Sequence, residues 1–216
     1  MTPPPPRRRD AAGGTAPPGG VEDVVAALRA GAVVGIPTDT VYGLAVDPSV
    51  PGSTDALFAL KRRPEGLDLP VLVGTMEQFE DLMGPGPGSV VARRIARALW
   101  PGACTVVVTR RAGLDWALGA RAGTIGLRCP AHDLARRLCT EVGPLATTSA
   151  NLHGEPPCTE AAALLRLFDG ELGAVLDGGP CDGAPSTVVD ATTATPTCLR
   201  QGALAWTEVV AAAGAG

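Results

Sequence analysis

Apolar positions along this chain follow two periods, and the switches between them mark out alternating helices and strands. Val21, Val24, Val25 and Leu28 recur at helical spacing and share a face, with Gly31 placed to end the helix. Val33 to Ile36 reads as a buried strand, stopped by Pro37, which has no N–H to donate. Thr38, Asp39 and Thr40 then interrupt the apolar pattern before Val41 to Ala45 resumes it. Residues 53–60 form a predicted helix capped by Ser53 or Thr54, with Leu57 and Leu60 inward. A short strand is expected at Leu69–Val73, and helices at 76–83 and 89–99, the latter with Val91, Ile95 and Ala98 on one face. Trp100-Pro101-Gly102 breaks that helix and Cys104–Thr109 follows as a strand. In the strand Gly123–Pro130, alternation puts Thr124, Gly126 and Arg128 on one face. Leu134, Leu138 and Val142 point inward from a helix, and a strand then runs into Ser149-Ala150-Asn151. Thr159 is a predicted cap for a helix carrying Ala161, Leu164, Leu165 and Phe168. Gly173–Leu176 is a strand, and residues 204–216 read as a short amphipathic tail that frays. Alternating strands and helices of this kind predict an α/β fold.

Composition narrows the function classes. Residues 1–20 are dominated by Pro and Gly and are expected to be a disordered tail. Residues 21–204 are enough for one sizeable core, followed by the tail at 205–216. Aromatic residues make up 3%, so the core must be mostly Val, Leu, Ala and Ile. Net charge is −4, which argues against nucleic-acid binding driven by overall charge. The local clusters Arg93, Arg94, Arg97 and Arg136, Arg137 read as solvated helix faces. The six cysteines form no C-x-x-C pair, and only His132 and His153 supply imidazoles, so a structural zinc site is not expected. The cysteines read as free thiols of a reducing compartment. No apolar run of about 18 residues exists and no apolar stretch follows Arg7-Arg8-Arg9, so neither a membrane span nor a secretory leader is expected. A cytoplasmic location is.

Candidate chemistry lies where strands end. Thr38-Asp39-Thr40, Ser149-Ala150-Asn151 and Pro185-Ser186-Thr187 each place hydroxyls or amides at a sheet end, the favoured ligand position in open α/β sheets. Lys61, Arg62 and Arg63 close a helix; they complement its dipole or form a phosphate clamp, and the residues alone leave both open. Arg128, sharing a face with Thr124, is an anion site or a surface ion pair. The glycines of Asp177-Gly178-Gly179 let backbone amides approach a ligand. Trp100-Pro101-Gly102 is assigned to structure.

Taken together these strings resemble the YrdC-like family, the threonylcarbamoyl-adenylate synthases. The matches are Pro37-Thr38-Asp39-Thr40-Val41-Tyr42-Gly43-Leu44-Ala45, Lys61 and Arg63 before Pro64, Trp100-Pro101-Gly102 with Thr105, Thr124 and Arg128 before Pro130, Ser149-Ala150-Asn151, Asp177-Gly178-Gly179 with Pro185–Asp190, and Arg200 with Gly202. They fall in family order over about residues 21–204. The resemblance implies a twisted mixed sheet flanked by helices, with an active-site cleft over one sheet face. It implies a nucleotidyltransferase that joins L-threonine, bicarbonate or CO2, and ATP into threonylcarbamoyl-AMP and pyrophosphate. The product would pass to a transferase complex that modifies adenosine beside the anticodon of tRNA.

By motif, Thr40, Arg128, Ser149 and Ser186 resemble the threonine-binding set. Arg63, Thr124, Asn151, Thr159 and Arg200 resemble the ATP-binding set, and Lys61 and Arg63 are the catalytic cations beside the phosphates. Mg2+ is expected with ATP, and no protein ligand for it can be named. The segment after Arg63 is two residues longer than in many members, and Gly74 falls where their histidine lies, which predicts weaker threonine affinity. The extra C-terminal domain of longer members is expected to be absent. Two other functions compete. A double-stranded RNA-binding module has been suggested by the concave basic surface of such domains. A carbamoyl-adenylate domain of the hydrogenase-maturation kind belongs in much longer chains with zinc-finger and acylphosphatase segments.

Overall fold

A computed structural model describes residues 20–61, 68–152, 154–181 and 183–214. The expectation of disorder for residues 1–20 lies, Gly20 apart, outside the described residues. Nine described strands form one mixed sheet: β1 (Val34–Ile36), β2 (Gly43–Val46), β3 (Val71–Leu72), β4 (Cys104–Thr109), β5 (Thr124–Arg128), β6 (Leu145–Ser149), β7 (Ala174–Val175), β8 (Thr187–Asp190) and β9 (Thr197–Arg200). Their spatial order is β7-β1-β2-β6-β3-β5-β4-β8-β9. The pairs β1–β7, β3–β5 and β4–β8 are parallel and the other five antiparallel. Polar strand ends far apart in sequence thereby converge: Gly43 pairs with Ser149, and Cys104 with Thr187.

Period-two alternation divides the sheet's side chains between two faces. Leu44, Val46, Val71, Val106, Ile125, Leu127, Ala146 and Val189 lie in the larger core. That core also holds residues of α2 (Ser53–Leu60), α3 (Met76–Leu82), α4 (Ser89–Leu99) and α6 (Ala161–Leu167). On the opposite face, Val34, Ile36, Ala45, Leu72 and Leu145 pack with α1 (Val21–Arg29) and α5 (Asp133–Glu141). Those two helices cover only part of this face. The rest, over β2, β6, β3, β5 and β4, is open and carries the site.

Several expectations are corrected. Neither Ser53 nor Thr54 caps α2: Gly52 does, at φ 81°, while buried Ser53 donates to Asp47 O at 2.5 Å. Glu160, not Thr159, stands at the N-cap of α6 and makes no side-chain cap bond, while the Thr159 carbonyl accepts from Cys181 N (2.8 Å). Ala98 is exposed, and α4 buries Val91, Ala92, Ile95 and Ala96 instead. The stripe is broader because this helix has a second neighbour. That neighbour is α7 (Trp206–Gly214), formed by the segment expected to fray; it packs on α4 through Val209, Ala212 and Ala213. The strand β9 was also not anticipated.

Candidate active site

The open face holds a cleft of about 430 Å³, joined through Pro70, Thr105, Ser186 and Arg200 to a second cavity of about 290 Å³. At the centre stands Arg128, the last residue of β5, 7% exposed. Its side chain is fixed at three points. Nε donates to Gly102 O (3.0 Å), Nη1 to Thr40 Oγ1 (3.0 Å) and Nη2 to Asp39 Oδ1 (2.7 Å). Thr40 is held in turn by Thr38, whose Oγ1 lies 2.9 Å from Thr40 Oγ1 and donates to Val41 O at 2.7 Å. The polar turn after β1 is therefore a cradle for an arginine delivered from the middle of the sheet. The ion pair to Asp39 is buried, not the surface pair that was one reading of Arg128.

A second arginine closes the other side. Arg200, at the end of β9, donates from Nε and Nη2 to Ser186 O (3.2 and 2.8 Å), and Ser186 Oγ lies 2.9 Å from Thr105 Oγ1. Gly202 makes this possible: a Cβ there would lie 2.2 Å from Pro185 O, so only glycine lets the chain pass so close. Among the described residues, Arg200 has no carboxylate partner. Partial burial, and next the charge of Arg128, push its pKa down. Both effects act against the cation, and Arg200, in a strand exposed at all four positions, presents its charge to the cleft with no described carboxylate beside it.

Lys61 enters from the end of α2, 6% exposed. Its Nζ donates to Ser149 O (2.7 Å), Asn151 Oδ1 (2.7 Å) and Asn151 O. Ser149 Oγ donates to Asn151 Oδ1 (2.6 Å), and Asn151 Nδ2 to Glu155 O (2.6 Å). Lys61 thus braces the Ser-Ala-Asn turn from beneath. On the far wall Tyr42 is fully buried, its hydroxyl donating to Gly179 O (2.8 Å) and accepting from Gly178 N (3.2 Å). Burial is the largest cause that pushes its pKa up to about 12, so it stays a protonated donor.

Of the expected site residues, Thr40, Lys61, Arg128, Ser149, Asn151, Ser186 and Arg200 line the main cleft. Thr124 lines the adjoining cavity with Arg200. Thr159 is exposed and lines neither cavity. Arg63 and His153 lie outside the described residues, as does most of the longer segment after Lys61. Gly74 is packed against α5, where a Cβ would sit 2.8 Å from Arg136 O and from Thr140 Oγ1. A histidine there would require α5 to move.

Reading from sequence named Asp39 within a polar cluster but not its arginine partner, and missed Tyr42 and Thr105 as builders of the site. The segment assigned to structure does both jobs. Trp100 Nε1 donates to Cys104 O (2.7 Å) and its ring stands edge-on to Phe79, while Gly102 holds Arg128 and Thr105 lines the cleft. No described cluster of three His, Cys, Asp or Glu could hold a metal ion. Burial pushes the Cys104 thiol up to about 12 and raises Cys129, Cys139 and Cys158, so these are poor nucleophiles.

This combination defines an α/β protein with a cleft lined by two arginines and several hydroxyls, set over the uncovered half of one sheet face. The chain belongs to the Sua5/YciO/YrdC family, whose profile, described as telomere recombination, matches residues 26–202. A Mycobacterium tuberculosis protein provisionally named threonylcarbamoyl-AMP synthase is 40% identical over 183 residues, 84% of this chain and 83% of that one. The threonylcarbamoyl-AMP synthase of Bacillus subtilis is 34% identical over 197 residues, 90% of this chain and 56% of its own length. Among solved structures, Pyrococcus abyssi Sua5 complexed with L-threonine superposes with a TM-score of 0.80 at 31% identity, over 90% of this chain and 57% of that one. The chain spans little more than half the length of these last two proteins.

Proposed function

We propose that this chain is an L-threonylcarbamoyladenylate synthase, an adenylate-forming nucleotidyltransferase acting on L-threonine, bicarbonate or CO2, and ATP. The observation that carries the reading is the pairing of two cleft arginines in different electrostatic states. Arg128 is balanced by Asp39, as suits a zwitterionic amino acid. Arg200 is unbalanced, as suits a polyphosphate. Family membership, and the likeness to a relative crystallised with L-threonine, support the same assignment.

In this account the threonine carboxylate meets Arg128, flanked by the hydroxyls of Thr40, Ser149 and Ser186. The amine adds to CO2 and loses a proton, giving a carbamate. A carbamate oxygen then attacks the α-phosphorus of ATP and pyrophosphate leaves, so no protein nucleophile is consumed. Arg200, Asn151 and Thr124 hold ATP, and Lys61 and Arg63 supply charge beside the phosphates; Thr159, which lines neither cavity, takes no part. Catalysis is then mostly alignment of two anions against fixed cations. Mg2+ would accompany ATP, held by its phosphates; the described residues form no cluster of three His, Cys, Asp or Glu to cage the ion.

The product would feed a threonylcarbamoyl-transferase complex acting on tRNA. Direct double-stranded RNA binding is not favoured. Of the clustered surface arginines, Arg93 pairs with Glu80 (2.8 Å), Arg136 with Asp133, and Arg137 with Glu141 (2.5 Å). The test is pyrophosphate release from ATP and bicarbonate. Release that requires L-threonine and is weak with L-serine or L-alanine is expected; ATP-binding protein that shows no threonine-dependent release contradicts the assignment.

A further inference from the structure

Asp39 does not line the cleft, although its neighbours Thr38 and Thr40 do. Its side chain, 15% exposed, reaches Arg128 instead. A guanidinium has five N–H groups in a fixed fork. In Arg128 three are engaged, by Gly102 O, Thr40 Oγ1 and Asp39 Oδ1. One N–H on each terminal nitrogen is left over for a ligand in the cleft that Arg128 lines. Two of the three anchors, Gly102 O and Thr40 Oγ1, are neutral; Asp39 is the charged one, bonded at the shortest distance.

We propose that Asp39 is a positioning residue for the amino-acid substrate: it locks Arg128 so that the guanidinium is presented to the cleft in one orientation. The inference rests on the assignment of Arg128 to the substrate carboxylate. It adds a residue that touches no substrate yet sets how well the substrate is held. The adjacent groups fit a role of this kind. The Gly183 amide donates to Thr40 O (2.9 Å), and a Cβ at Gly183 would lie 2.6 Å from Thr40 Cα, so the Asp39–Thr40 backbone is clamped from the far side. Asp39 is therefore held on a fixed segment, and its carboxylate is a fixed reference for the arginine.

The test combines crystal structures of Asp39→Ala and Asp39→Asn with calorimetric L-threonine binding and steady-state kinetics for ATP. Asn keeps an acceptor at the Oδ1 position and loses the charge. In Asp39→Ala, Arg128 is expected to leave Thr40 Oγ1, with L-threonine affinity falling about tenfold to a hundredfold and the ATP KM moving less than about twofold. Asp39→Asn is expected to keep Arg128 in place and threonine affinity within about fivefold. Asp39→Glu, which keeps the charge but displaces it by a methylene, should behave like Ala and serves if the alanine variant does not fold. An unmoved Arg128 in Asp39→Ala, or equal losses for threonine and ATP in Ala and Asn, would overturn the proposal. Failure of the wild type to bind L-threonine would count against the synthase assignment instead, and the position of Arg128 in the variants would still decide the role of Asp39.

Discussion

Tyr42 shows how much one side chain can be asked to do. It is the only tyrosine, it is fully buried, and its hydroxyl ties the Asp177-Gly178-Gly179 loop to the turn after β1. Its folded pKa of about 12 lies above the ordinary 10, so the neutral form is favoured by folding. The stability it contributes is complete below about pH 10 and is lost as pH rises toward 12. Because no other tyrosine absorbs, a spectrophotometric titration near 295 nm should place the native midpoint near 12 and the unfolded one near 10; a native midpoint near 10 would show the hydroxyl to be solvated. For Arg200, replacement by Ala should lower kcat/KM for ATP by roughly a hundredfold with little change in Tm, because its charge is uncompensated in the free protein. Arg128 and Ser149 were legible in the sequence because each ends a recognisable apolar run, Asp39 and Ser186 because they lie in polar clusters beside one, and Arg200 only through the family resemblance. The pairing of Asp39 with Arg128 was not legible, since the two are 89 residues apart, nor was the role of Thr105, hidden in a segment that reads convincingly as a turn and a strand.

At the scale of elements, the strands were legible wherever an apolar run met Pro or a polar cluster. Segments with weak patterns were not. β9 is exposed at all four positions, so no alternation could reveal it. α7 is alanine-rich, and its need for a partner becomes visible only when α4 stands beside it. Ile95, fully buried in α4 within the core that also takes Val209 and Ala213, measures that packing. Ile95→Ala should cost about 2–5 kcal/mol in urea unfolding; a cost under about 1 kcal/mol would mean that α7 does not cover this helix. Gly202 tests how β9 is attached. Gly202→Ala must push the chain off Pro185 O, moving Arg200 against Ser186. Turnover should therefore fall well before the melting temperature does, which thermal denaturation read beside pyrophosphate release will check.

For the molecule as a whole, one sheet face is covered at one end by α1 and α5 and left open at the other, and the site occupies that opening. Charge is distributed to match. The overall balance is −4, Arg93, Arg136 and Arg137 on the surface are paired with carboxylates, and Arg200, without a described carboxylate partner, faces the cleft. The fold class followed from the alternation of strands and helices, and the cleft over one sheet face from the family resemblance. The fate of the longer segment did not, because Gly74, at its end, answers to α5 rather than to the cleft. The most direct test of the central claim is product identity. The chain is incubated with ATP labelled at the α-phosphate, L-threonine and isotopically labelled bicarbonate, and the nucleotide products are separated. One species carrying both labels, formed only with L-threonine and releasing AMP on hydrolysis, is the predicted result. An adenylate without the bicarbonate label, or no threonine-dependent nucleotide at all, would contradict the account.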